Sequence, residues 1–495
     1  MPKFNWKGRA RGFEATNKAA APAFALSLRA RFATRVATSL VQEMKFYGDN
    51  TNELVDEATQ LAQQDPVFVA KAAGYARNVL YLRSVPIVLT RWLAAFAPSP
   101  LVADTVADVV RRPDELTELL AYYRATNDTR ALPKGIKLGL ARAMSRFDAY
   151  QLAKYDRAGE FRLRDVLSLV HPKPTTPEQG EMWKALLEQR LEPPVTWEVQ
   201  LTKHGNKAEV WDALVRSGNL PYMAMLRNLR NMVRVGATCL PEIAERLQDP
   251  QAVSRSKQMP FRFYAAYCNL PKDAPPYVRG AVERAFALSA RNLPRLGGIT
   301  VIAADNSGSM RSRLSKSSTV RLRDVANTMA SLAVEFCDEP VVFLFSDDAV
   351  RAEAPRDLPP LARVAYFDKL GQGGATNLWK VLDTMVRERL HADRLIVFSD
   401  MQAWDTTFSD GSQTPAQLTK LYRAMVNPDL MVHSVDMAGY GTTQFRDSKT
   451  LLYAGWNDRV LQAIALAEKG GGYRARDRRY APRGTPSADQ MEIDE

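Results

Sequence analysis

The 495-residue chain, 46% hydrophobic and 25% charged, reads as a soluble globular protein too long for one core, so two or three domains are expected. Three scattered cysteines (Cys239, Cys268, Cys337) and four histidines argue against a disulfide framework or a zinc site and fit a reducing, cytoplasmic setting; neither an export signal nor a membrane-spanning run is expected. The net charge of +12 is uneven, with 43 basic against 29 acidic residues over 1–298 but 18 against 21 over 299–468, and a basic excess of that size favours a polyanionic partner, nucleic acid being the commonest.

From about Pro22 to Ala290 amphipathic helical patterns follow one another, separated by short Pro, Gly, Asn or Asp breaks. Helices are predicted over Phe24–Tyr47, Thr51–Gln64, Pro66–Leu80, Val85–Ala97, Pro113–Ala125, Lys134–Tyr150, Gly180–Arg190, Lys207–Ser217 and Pro221–Val235. None of them can bury its apolar face alone, which points to an α-solenoid of the HEAT or armadillo kind. Basic residues fall on helical faces. Arg227, Arg230 and Arg234 stand at i, i+3 and i+7, stacking three guanidinium groups on one side. Lys134, Lys137, Arg142 and Arg146 form a second cluster, and Arg262 stands among aromatics in Pro-Phe-Arg-Phe-Tyr. A third group joins Lys154, Arg157, Arg162 and Arg164 to His171 and Lys173, with His171 just past the end of a helix over Arg162–Val170. Arginine forks and lysine charges on one face suit phosphate oxygens, and aromatics suit unpaired bases.

Around 291–298 the pattern changes to alternating strands and helices. Strands are predicted at 299–305, 340–346, 394–400, 430–436 and 450–453, and helices at 323–337, 379–390, 415–426 and 459–469. This alternation predicts a mostly parallel, doubly wound α/β sheet. The first strand ends in Asp305-Asn-Ser307-Gly-Ser309, a Gly-rich loop carries Thr376, and Leu395-Ile-Val-Phe-Ser-Asp400 ends another strand on a carboxylate. Two aspartates and three hydroxyls at the carboxyl ends of parallel strands make a hard-oxygen site suited to octahedral Mg²⁺ or another divalent cation. The tail beyond 470 is Gly/Arg-rich and reads as disordered. No phosphate-binding Gly-Lys loop, nucleophile elbow or catalytic base is recognisable, so no catalytic residue is assigned.

The Asp305, Ser307, Ser309, Thr376, Asp400 set resembles the metal-ion-dependent adhesion site of a von Willebrand factor A domain, over about residues 297–470. A basic helical array ahead of such a domain is similar to the Ro family of RNA-binding proteins, its bacterial members in particular, whose repeat module is called TROVE. Met225-Leu-Arg227-Asn228-Leu-Arg230-Asn-Met, Leu167-Ser-Leu-Val-His171-Pro-Lys-Pro, Pro133-Lys134-Gly-Ile-Lys137 and Pro260-Phe-Arg262-Phe carry that resemblance. It divides the chain into a basic arm (1–21), a TROVE array (22–296), the A-like domain (297–470) and the tail (471–495). The resemblance implies a monomeric helical ring whose outer surface binds small non-coding Y RNA and whose hole takes single-stranded 3′ ends of misfolded or structured RNAs. Lys154 and His171 match the outer contacts; Arg157 lies one residue from a basic position of the family, where Ala158 stands in an ungapped match. Arg227 and Arg230 fit the interior. It further implies a non-enzymatic partner of a 3′-to-5′ exoribonuclease, polynucleotide phosphorylase, in RNA quality control, maturation or decay. A Mg²⁺-dependent protein-interaction scaffold and, more remotely, a metal-dependent nuclease are the alternatives left by the residues alone.

Overall fold

In the computed structural model the described residues are 15–17, 22–39, 50–127, 131–192, 196–218, 220–258, 260–290, 295–313, 320–353, 358–371, 373–403, 414–455 and 458–469. They belong to two compact units, one drawn from within 1–42 and 204–469 and the other from within 43–203. The expected tail, and the expected arm apart from 15–17, lie outside the described residues. Among the described residues no helix is long and apolar enough to cross a membrane.

Within 43–203 every described regular element is a helix. Pro66–Asn78, Ser99–Val109 and Lys134–Met144 pack successively in one row, and Asn50–Gln64, Ser84–Leu93 and Pro113–Ala125 in another. Each row buries the apolar stripe that its helices cannot bury singly. Helices Ser99–Val109 and Lys134–Met144 approach through glycines, because a Cβ on Gly135 would lie 2.7 Å from Cβ of Val102 and one on Gly139 closer still to Val106. The rows are tied by one carboxylate. Glu115, 1% exposed, accepts from Arg77 Nη2 at 2.8 Å and from the backbone N–H groups of Arg111 and Arg112 at 2.8 and 3.1 Å. Removing one side of such a buried pair costs about 3–5 kcal/mol, because the other is left uncompensated.

The predicted helix over Lys134–Tyr150 is in fact two, Lys134–Met144 and Ala149–Tyr155. Asp148 restarts the chain with a capping box, accepting from Gln151 N at 2.7 Å while Gln151 Oε1 accepts from Asp148 N at 3.2 Å. A capping signal inside an apolar-periodic run outweighs the periodicity there. Short helices at Leu163–Val170, Pro177–Leu187 and Trp197–His204 complete this part of the chain.

The other unit combines the last array helices (Ala208–Arg216, Tyr222–Arg234, Leu240–Gln248, Pro250–Ser256, Pro260–Asn269 and Pro276–Ala290) with an α/β layer. Its strands are β1 (Ala15–Thr16), β2 (Pro22–Ala25), β3 (Leu296–Asp305), β4 (Cys337–Phe345), β5 (Ala349–Ala352), β6 (Arg394–Ser399), β7 (Met431–Asp436), β8 (Thr442–Thr443) and β9 (Thr450–Ala454). The main sheet runs β5-β4-β3-β6-β7-β9, parallel except for β5 at one edge. Both faces are covered: Val301, Ala303, Val397 and Phe345 join a core with helices Leu378–Arg387 and Pro415–Met425, while helix Leu322–Phe336 also packs on β3, β4 and β6. Residues from all six positions of β6 are buried, as a central parallel strand requires. The doubly wound expectation is met, and β5 and helix Pro360–Lys369 are added to it.

The predicted helix over Phe24–Tyr47 is corrected at its start. Residues 22–25 form β2, which pairs antiparallel with β8 (Phe24 opposite Thr443), and Ser27 then caps a helix over Leu28–Thr38. That helix seats on three glycines of positive φ, Gly439 (+71°), Gly441 (+85°) and Gly455 (+91°). A Cβ on Gly455 would lie 2.8 Å from the Ala37 carbonyl oxygen. Gly455→Ala therefore combines left-handed strain with a backbone clash and is expected to cost about 1–3 kcal/mol. Scanning calorimetry should record a lower melting temperature and trypsin faster cleavage at Arg31 and Arg35; unchanged values in both would refute this docking.

Candidate metal centre and nucleic-acid interface

Parallel strands deliver their carboxyl ends to one edge of the sheet, and the expected oxygen donors meet there. Asp305, Ser307 and Asp400 are fully buried, Thr376 is 3% exposed, and Ser309 is exposed at the mouth. Asp305 Oδ1 accepts from Ser307 N at 2.9 Å and Oδ2 from Ser399 Oγ at 2.6 Å, while Ser307 Oγ and Ser309 Oγ lie 3.3 Å apart. Asp400 Oδ1 accepts from Gln402 N at 3.2 Å. The Thr376 loop is held against this turn by Gly308 N donating to Gly374 O at 3.3 Å and by Asn377 N donating to Ser346 O at 2.9 Å. Asp347 caps the loop, accepting from Gly374 N at 3.1 Å and Ala375 N at 2.7 Å.

Burial, and then the neighbouring charge of Asp400, pushes the Asp305 carboxyl up to about 7 against the hydrogen bonds from Ser307 and Ser399. Two carboxylates forced together in a dry site, surrounded by hydroxyls, make a donor set that fits a small hard divalent cation. Among the described residues no three His, Cys, Asp or Glu side chains converge on a common ion position, so a cation here would rest on two carboxylates completed by Ser307, Ser309, Thr376 and water.

Three residues of this edge were not singled out from the sequence. Asn306 anchors the turn by donating to the carbonyls of Phe367 at 3.0 Å and Leu370 at 2.9 Å. Ser399 bridges to Asp305. Asp436 ends β7 on a buried carboxylate; the run Val-His-Ser-Val-Asp436, apolar-flanked and closing on an aspartate like the run to Asp400, was the available signal.

The basic candidates divide between the two units. In 43–203, Lys134 and Lys137 are exposed in the first turn of their helix, with no acidic residue in that turn and no ion pair among the described residues. Arg142 pairs with Asp104 at 2.6 Å, with both side chains more than half exposed. Lys154 lies 3.9 Å from Glu198 and 5.7 Å from the Tyr155 ring centroid, the ring that Arg112 also covers at 4.5 Å. Arg157 and Lys173 are exposed. His171, also exposed, is the left-handed C-cap of Leu163–Val170 (φ 45°), its N–H bonded to Leu167 O at 3.1 Å. In the other unit, Arg227, Arg230 and Arg234 line the exposed face of Tyr222–Arg234, with no ion pair among the described residues, opposite buried Met225, Leu229 and Met232. Asn228 belongs to the buried side, its Nδ2 donating to Ala224 O at 2.9 Å, so its amide serves its own helix. Arg262 is exposed on Pro260–Asn269.

Comparison with known proteins gives this arrangement a context. A family model described as the TROVE domain matches residues 30–190 and 182–273. The chain is 26% identical over 306 residues to telomerase protein component 1 of Mus musculus, covering 44% of this chain and 12% of that protein. It is 25% identical over 275 residues to RNA-binding protein RO60 of Caenorhabditis elegans, covering 52% of this chain and 42% of that one. It thus spans less than half the length of either relative. The fold is similar to that of the crystal structure of the Deinococcus radiodurans RO (RSR) protein, with a TM-score of 0.64, 18% identity and coverage of 89% of this chain and 100% of that chain.

The buried carboxylates give the cation-free protein a pH dependence of definite sign. An unfolded Asp titrates near 3.8, whereas folded Asp305 holds its proton up to about 7. Its contribution to stability is therefore fully present below pH 3.8 and lost as pH rises through 7. After chelation, thermal unfolding is expected at a lower temperature at pH 8 than at pH 5, and Mg²⁺ is expected to restore the loss at pH 8; equal melting temperatures with no Mg²⁺ response would contradict this description.

Proposed function

We propose, for a chain that belongs to the TROVE-domain family of Ro proteins, that it is a non-catalytic RNA-binding protein with two separate RNA sites. In this reading Y RNA contacts Lys154, His171 and Arg157, with Lys134, Lys137, Arg142 and Lys173 contributing phosphate contacts. Single-stranded 3′ ends of misfolded or structured RNAs contact Arg227, Arg230 and Arg262, at the hole of the expected ring. The protein acts in the cytoplasm as a monomer and hands RNA to an exoribonuclease such as polynucleotide phosphorylase.

The observation that carries this reading is the arginine face of Tyr222–Arg234, three exposed guanidinium groups with no ion pair among the described residues. Other arginines of the described chain, such as Arg77, Arg142 and Arg363, are paired with carboxylates, whereas these three face solvent, where an external anion can reach them. A second support is the start of Lys134–Met144, where two exposed lysines add to the positive end of a helix that has no acidic residue in its first turn. The cation site would hold Mg²⁺ through Asp305, Ser307, Ser309, Thr376 and Asp400, supplying one open position for an anionic oxygen. That open position, in a domain without basic excess, also favours the second reading, a scaffold gripping a partner's carboxylate.

Binding of a hairpin RNA with a single-stranded 3′ tail is expected to weaken steeply with salt. Replacing Arg227 and Arg230 together by Ala should lower the slope of log K against log salt by about 1 to 1.5, and should weaken the tailed RNA more than Y RNA. Filter binding at several salt concentrations measures both. Salt-independent binding would refute the phosphate mechanism, equal losses would refute separate sites, and purification without bound RNA would favour the scaffold.

A further inference from the structure

Asp436 ends β7 with its side chain buried, the residue being 6% exposed. Its Oδ1 accepts the backbone N–H groups of Ala438 at 2.9 Å and Gly439 at 2.8 Å. Its Oδ2 is buried and has no hydrogen-bond partner. A carboxylate oxygen stripped of water and given no donor is the most unfavourable polar group a folded chain can carry, so its placement asks for a ligand.

The strand register tells where that oxygen points. Ser399 and Asp436 are directly opposite each other across parallel β6 and β7, so their side chains leave the sheet on the same face. On that face Ser399 Oγ is 2.6 Å from Asp305 Oδ2 on the next strand. Asp436 thus continues a row that begins at the metal-site aspartate. Burial, with the charge of Asp400 added, lifts the Asp436 carboxyl to about 7 against the two amides and the positive charge of Arg35. The Tyr440 phenol is raised as well, by burial and then by Asp400 and Asp436 together. Direct ligation by all three aspartates is excluded by the absence, among the described residues, of three acidic side chains sharing one ion position.

We propose that Asp436 is part of the cation site at one remove, its Oδ2 accepting a hydrogen bond from a water bound to the divalent ion that Asp305 and Asp400 hold. The inference rests on the cation reading given under the proposed function. Mg²⁺ gives up its waters reluctantly, so a site with two carboxylates keeps several, and each needs an acceptor. Groups that orient metal-bound ligands in this way commonly change affinity by about 10 to 100-fold.

The test is Mn²⁺ binding to the full-length protein, followed by electron paramagnetic resonance of the free ion, with Mg²⁺ as competitor. In Asp436→Asn the two backbone N–H groups claim the amide oxygen, which turns the NH₂ group toward the water and removes the acceptor. The Mn²⁺ dissociation constant is expected to rise by at least about 10-fold, while circular dichroism and the cation-free melting temperature show a folded chain. A constant within twofold of the wild type would overturn the role of Asp436. Should Asp436→Asn fold poorly, Asp436→Ser is expected to show the same loss, and binding within twofold would overturn the proposal equally. Asp305→Asn separates the two levels: it should abolish binding. Wild-type protein without Mn²⁺ affinity, or Asp305→Asn binding as well as wild type, would bring down the cation reading itself, whereas a loss confined to the Asp305 variant would bring down only the inference about Asp436.

Discussion

Repulsion among buried carboxylates is the constraint around which the α/β layer is arranged. Because β3, β6 and β7 run parallel, the aspartates at or just beyond their ends, Asp305, Asp400 and Asp436, arrive at the same edge, each no more than 6% exposed. Two unit charges about 4 Å apart at an effective dielectric of about 20 repel by about 4 kcal/mol, so the fold must supply compensation. It does so with backbone N–H groups from Ser307, Gln402, Ala438 and Gly439 and with the Ser399 hydroxyl. The hydrogen bonds from Asn306 to the end of helix Pro360–Lys369, and from Gly308 to Gly374, fix the turns that carry those donors.

The N-terminal segment is fastened to the same edge. Asn17 Nδ2 donates to Ala403 O at 2.9 Å, three residues beyond Asp400, and Leu26 N donates to Gly441 O at 3.2 Å, five beyond Asp436. The loop following Asp436 therefore serves twice: its amides compensate a carboxylate, and its glycines receive helix Leu28–Thr38. Gln444 adds a further tie, donating to Met401 O at 2.9 Å. Asn17, the 22–38 segment and the two aspartate loops form one hydrogen-bonded body.

The helical part meets a different demand. Inside it Arg77 is neutralised by Glu115 at 2.8 Å, and buried Arg91 is satisfied by Thr126, its Nε donating to Oγ1 at 2.8 Å and its Nη2 to the carbonyl oxygen at 2.6 Å. The charge excess of residues 1–298 is consequently displayed on exposed faces, where it is hydrated and available. The two regions thus differ in their physics: a dry carboxylate edge in a layer of balanced charge, and wet, salt-screened cationic faces on helices.

Much of this was legible in the residues alone. Helical periodicity marks the array, buried β-rich runs mark β3, β4, β6 and β7, and Asp305-x-Ser307-x-Ser309 with Asp400 marks the carboxylate and hydroxyl edge of the sheet, because each of these signals is local and survives without knowledge of contacts. The inward turn of Asn228 also follows from its place one residue beside Arg227 on a helix whose other side is apolar, but a polar residue type hides it. The pairing of β2 with β8, the seating of Leu28–Thr38 on Gly439, Gly441 and Gly455, and the unsatisfied oxygen of Asp436 had no local signal, since each depends on partners hundreds of residues away or on the burial of a single atom. The sequence by itself determined which elements form, where the charge lies and which oxygens end the strands. Only the tertiary structure decided which of those oxygens are left without donors and that Asn17 and the 22–38 segment pack on the loops that carry them, because desolvation and long-range pairing exist only once the chain is folded.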